Sequence, residues 1–89
     1  MNYNIINNHG DNNMKIRYNN LFKLLIDKGM KKTELVTKAN ITPATLARLS
    51  KNKAVDLSTI VKICECLDCR IEDVVEIYKD NEEYSRIDQ

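Results

Sequence analysis

The chain of 89 residues has one histidine and two glycines, and each scarcity removes a class of function. Gly10 and Gly29 stand alone, so there is no glycine-rich phosphate loop. His9 offers no histidine-based nucleophile pairing and does not complete a usual zinc set. No apolar run approaches the ~20 residues that span a bilayer. The N-terminus is polar and lacks the hydrophobic segment of a signal peptide, which leads to the expectation of a soluble, cytoplasmic protein. Internal repeats are absent, and 43% apolar residues in this length suit one small domain with a modest core. An enzyme is not expected, nor is a cofactor, a metal, a small-molecule ligand or a membrane partner.

What is present is segregated charge. The overall net charge is +1, yet positions 14–53 hold ten Lys and Arg against Asp27 and Glu34, which leaves +8. Positions 54–89 hold four against ten acids, which leaves −6. A basic block is the electrostatic footprint of a phosphate-binding face, whereas a mixed solvated surface would show none.

Inside that basic block lies a turn between two short helices. Leu35, Val36 and Ala39 fall on one helical face. Asn40 tolerates the left-handed conformation that ends such a helix. Thr42 is a good N-cap, and Pro43 suits the first helical position, where a missing N–H leaves nothing unsatisfied. Ile41 is the apolar plug over which both helices pack. Leu46 and Leu49 then point inward and leave Ala44, Thr45 and Arg48 outward. The expected motif is a helix-turn-helix over Met30 to Asn52.

The other segments give this motif a body. A first helix over Tyr18 to Lys28 offers Leu21, Leu24 and Leu25 to a core and ends at Gly29. Phe22 and Ile26 widen its apolar surface beyond one stripe, which suggests packing against the arm, the tail or a second copy. Asp56 is the expected N-cap of a fourth helix carrying Ile60, Ile63, Cys64 and Leu67. Ile71, Val74, Val75 and Tyr78 repeat the spacing and predict a fifth helix, with Arg70 as a poor N-cap. Residues 1–13 are Asn-rich and read as a flexible arm, with a short strand at Tyr3 to Ile6. Residues 14–79 read as the domain, and 80–89 as a polar tail.

Three cysteines, Cys64, Cys66 and Cys69, superficially suggest a metal site. Residues two apart on a helix diverge by roughly 200°, so Cys64 and Cys66 cannot converge on one ion. Cys64 reads as a small core residue, Cys69 as buried between the fourth and fifth helices, and Cys66 as more exposed. The i, i+3 spacing of Cys66 and Cys69 permits a redox pair, although a reducing cytoplasm argues against a structural disulfide.

Residues 18–78 resemble the lambda-repressor-like domains of the Cro/repressor type, the XRE family, and most closely its small single-domain members. The resemblance is carried by an ordered set. It comprises Gly29-Met30, Glu34-Leu35 with Val36 and Ala39, the Asn40-Ile41-Thr42 turn, Leu46 with Leu49, the run Leu57 to Ile63, and Ile71 to Val75. It implies an all-α fold of five compactly packed helices with the helix-turn-helix at the second and third. Asn40 stands where the family more usually has Gly. Pro43 and Ala44 occupy positions where many relatives carry polar, base-reading side chains.

The expected function is sequence-specific binding of double-stranded DNA by a homodimeric transcriptional regulator, a repressor, with the third helix in the major groove. Arg48 is the candidate base reader, since its fork matches guanine O6 and N7. Pro43 and Ala44 offer only apolar contact to a thymine methyl. Thr45 is assigned to a phosphate, and the Thr42 amide lies at a helix N-terminus that attracts one. Lys32, Lys51, Asn52 and Lys53 are expected to grip the backbone on either side. The alternative is a protein-binding module, an antitoxin or adaptor, built on the same fold.

Overall fold

Left-handed residues punctuate the chain where helices end. In the computed structural model, which describes residues 14–79, Gly29 has φ +66° and follows helix α1 (Asn19–Asp27). Asn40, at φ 58°, closes α2 (Lys32–Ala39), and its amide bonds back to Thr37 O. Thr42 is extended and caps α3 (Pro43–Ser50), with Pro43 in the first turn as its chemistry favours. Asp56 precedes α4 (Leu57–Leu67) but makes no side-chain cap bond. Asp68, at φ 52°, ends α4.

The apolar stripes of these helices meet in one core. Leu21, Leu25, Leu35, Leu49, Ile63 and Leu67 are almost wholly buried, and Ile41 plugs the α2–α3 turn. α2 lies against both α3 and α4. Leu24, Val36, Leu46 and Cys64 are half-buried at the edges. Ile26 is left 77% exposed. None of the described helices is long and apolar enough to cross a membrane.

The predicted fifth helix does not form. Ile71–Asp73 make a single 3₁₀ turn, and Glu76–Lys79 are instead a strand, β2. It pairs antiparallel with β1 (Met14–Arg17), a segment whose sequence pattern predicts no strand. Among the described residues the fold is therefore four α-helices, a 3₁₀ turn and a two-stranded sheet, and the predicted fifth helix of an all-α bundle is replaced by the turn and β2.

The reason lies in what each conformation offers these residues. The Asp73 carboxylate accepts from the Arg70 amide at 3.0 Å, which stabilises one turn, and fully buried Val74 then seats in the core. Val75, Ile77 and Tyr78 are β-branched or aromatic and favour extended backbone. β1 supplies their partner: Arg17 lies opposite Glu76 and grips both carboxylate oxygens at 2.9 Å. The same guanidinium sits 4.1 Å from the centroid of the Tyr78 ring. Apolar spacing at i, i+3, i+4 and i+7 is thus shared by a helix and by a turn that runs into a strand.

The cysteines are free thiols, all half-buried. Cys66 packs against the core edge and is less exposed than expected. Cys69 faces Cys64, not Cys66, because the Cys69 amide bonds to the Cys64 carbonyl at 3.0 Å across the left-handed Asp68. Burial, the Cys64 thiol and the Asp73 carboxylate together push the Cys69 thiol up to about 11. The arm at 1–13, its strand at Tyr3 to Ile6, and the tail at 80–89 lie outside the described residues.

Candidate nucleic-acid interface

A helix presents a face to a partner when its opposite face is anchored at both ends, and α3 is held in this way. Leu49 is fully buried, while Pro43, Ala44, Ala47 and Arg48 are exposed along the outer side. At its start, the Thr42 hydroxyl accepts from the Thr45 amide at 3.1 Å and donates to the Thr45 hydroxyl at 3.0 Å. Capping therefore occupies both threonines, and Thr45 is half-buried.

The far end is fixed by residues distant in sequence. Asn52 takes φ 58°, and its Oδ1 accepts from the Tyr18 amide at 3.2 Å. The Tyr18 ring is fully buried, and its hydroxyl donates to the Lys53 carbonyl at 2.7 Å. Burial raises the pKa of this phenol above its ordinary value, with the nearby Arg48 charge pulling weakly the other way. Arg48 closes the third tie: Nε and Nη2 both donate to the Ala54 carbonyl, at 3.0 and 2.8 Å. Three ties, made of four hydrogen bonds, thus hold residues 52–54 to Tyr18 at the start of α1 and to Arg48 on α3.

These contacts sort the candidate residues. Pro43, Ala44, Arg48 and Lys51 sit on or just after α3 and are exposed. The side-chain oxygen of Asn52 is turned to the Tyr18 amide, and the Lys53 carbonyl to the Tyr18 hydroxyl. Lys32 stands in the first turn of α2, its ammonium 4.6 Å from the centroid of the Phe22 ring. Arg48 lines a cleft of about 380 Å³ with Thr45, Val55, Asp56 and Thr59, between α3 and the first turn of α4. Behind the motif, Lys62 Nζ lies 3.4 Å from the Asn40 carbonyl and ties α4 to the turn.

Sequence reasoning missed Tyr18. Its spacing marks it only as the start of a helix, yet it positions the connection after α3. The partners lie 34 and 35 residues away, so no local pattern could reveal them. Among the described residues, no group of three or more potential ligands is placed to hold a metal ion.

No curated protein sequence matches the chain. The chain is similar to the transcriptional regulator VanUg, known from a crystal structure, with 40% identity and a TM-score of 0.73. The alignment covers 82% of this chain and 97% of that one. Residues 20–80, the anchored helices included, match the Cro/C1-type HTH DNA-binding domain. The chain belongs to that family of DNA-binding domains.

Proposed function

We propose that the protein is a sequence-specific, DNA-binding transcriptional regulator, acting as a homodimeric repressor with α3 in the major groove. The observation that carries this reading is α3 itself, held at both ends in a DNA-binding fold and exposed along its outer side. The basic half supports it, since lysines at 31, 32, 51 and 53 are exposed at the start of α2 and after α3. Lys32, Lys51 and Lys53, with the Thr42 and Thr45 corner and Asn52, are assigned to the phosphate backbone. Arg48 is assigned to a base edge, with Pro43 and Ala44 as apolar neighbours.

Arg48 carries a condition that the other candidates do not. Its fork is bonded to the Ala54 carbonyl, so reading guanine requires it to exchange one acceptor for another. That commitment, with Pro43 and Ala44 beside it, keeps a second reading in view: a protein-binding module, an antitoxin or adaptor, that uses α3 on a protein partner.

Titration of a labelled random-sequence duplex at two salt concentrations separates the two. A DNA-binding protein gains affinity as salt falls, with a slope of about −0.9 per phosphate neutralised. Lys32→Ala is expected to flatten that slope by about one unit and weaken all sequences alike. Absence of binding at low salt would overturn the DNA reading in favour of the adaptor.

A further inference from the structure

Six large apolar side chains are at least 49% exposed among the described residues, and three of them gather in one place. Leu57, Val61 and Ile71 border a groove of about 450 Å³ between α4 and the 3₁₀ turn, with Cys64 and Cys69 in its wall. Leu57, Val61, Cys64 and Asp68 follow one another at i, i+4, i+7 and i+11, so the stripe runs the full length of α4. Exposed apolar side chains grouped in this way mark an interaction site, whereas the same residues scattered singly would need no explanation.

Charge along the stripe indicates its occupant. The first turn of α4 carries no acid, and Asp56 just before it lines the cleft on the α3 side instead. The other end carries Glu65 and Asp68 on the groove, with no basic residue in the last turn. Each α4 thus pairs a positive dipole end with a negatively charged end, the latter in conflict with its own dipole. A parallel copy would set acid against acid. An antiparallel copy sets Glu65 and Asp68 against the partner's first turn, twice.

We infer that a second copy of this chain packs on the Leu57, Val61 and Ile71 stripe, α4 against α4 in antiparallel sense about a two-fold axis near Val61. The inference rests on the homodimer proposed above and names its surface. α3 flanks the first turn of α4, so the two-fold sends the two copies of α3 to opposite ends of the contact. Two half-sites one helical turn apart require such a separation. An eleven-residue helix face is smaller than a standard interface of ~800 Å² per partner, so the free dimer is weak and the DNA completes it.

Sedimentation equilibrium of the full chain over a wide concentration range tests this, alone and with a palindromic duplex selected from a random pool. The parent is expected to self-associate. Val61→Glu is expected to weaken association at least tenfold with an unchanged circular dichroism melt, because Val61 is 54% exposed. Ile26→Glu, which places the same charge on an equally apolar but separate site, is expected to leave association intact. Val61→Cys with Cys64, Cys66 and Cys69 replaced by Ser is expected to cross-link to itself under mild oxidation. If the parent dimerises and Val61→Glu dimerises equally, this surface is wrong while the homodimer reading stands. If Val61→Glu lowers the melting temperature without changing association, the stripe is covered by the chain's own residues and the inference fails. A parent that stays monomeric free and on DNA removes the homodimer reading itself.

Discussion

The two connections that flank α3 do the same task by different means. The connection before it, Asn40 to Pro43, is built from its own residues: a left-handed Asn, an extended Thr cap and a Pro suited to the first turn. The connection after it, residues 51–56, also turns through a left-handed Asn but is held by Tyr18 and Arg48. The first is specified mainly by its own residues, with one distant bond from Lys62, and the second depends on the distant Tyr18 as well as on Arg48. The comparison teaches that the angle at which α3 is presented and the stability of its far end respond to different substitutions.

The largest effect is expected at Tyr18. Tyr18→Ala empties a fully buried aromatic site and should cost about 3–5 kcal/mol in urea unfolding. Tyr18→Phe keeps the ring but deprives the Lys53 carbonyl of its donor, for a cost of about 1–3 kcal/mol. The pair also separates by pH. The folded state raises this phenol's pKa, so its contribution is complete below the ordinary tyrosine value near ~10 and is lost as pH climbs through the folded value. Stability measured from pH 8 to 11 should therefore fall more steeply for the parent than for Tyr18→Phe. Equal slopes would detach Tyr18 from the loop.

The same division explains what could be read from sequence. The helix-turn-helix was legible because Asn40, Thr42 and Pro43 act on neighbours within three residues, and the helix α1 stop at Gly29 is equally local. The strand Glu76–Lys79 was not legible, because its partner is Met14–Arg17 and its apolar spacing also fits a helix. At the interface, the exposure of Ala44 and Arg48 follows from helical period, whereas Thr45, expected outward with them, is half-buried at the Thr42 cap. The attachment of Arg48 to Ala54 and of Asn52 to Tyr18 depends on where the loop folds back, and that is a property of the assembled core.

Arg48 gives the next effect, and it can break the comparison. If the fork reads a base, Arg48→Ala should lose about 1–3 kcal/mol of discrimination at one base pair per half-site, measured by competition with single-base variants of a selected site. If the fork serves only the connection after α3, the loss is uniform across sequences. Amide exchange in residues 51–56 then rises to the same extent as in Tyr18→Phe.

Thr42→Ala probes the connection before α3 alone. It removes the acceptor for the Thr45 amide and the partner of the Thr45 hydroxyl, and should cost about 1 kcal/mol. Exchange protection in residues 51–56 is expected to stay unchanged, since none of its three ties involves Thr42. A rise there would mean that the two ends of α3 are not independent.

The smallest effect is expected at Asn40 when Gly replaces it. Its φ of 58° is open to Gly without a side-chain penalty, so Asn40→Gly trades a slightly easier left-handed turn against greater freedom in the unfolded chain. The net change should stay within about 0.5 kcal/mol. Asn40→Ala has no such balance and should cost about 1–2 kcal/mol, because a Cβ without a polar group gains nothing in that region. The Asn40 carbonyl that receives Lys62 is backbone and survives both changes. A difference between the two variants therefore reports the backbone conformation of the turn alone. Equal losses would show that the Asn40 side chain contributes something other than its tolerance of positive φ.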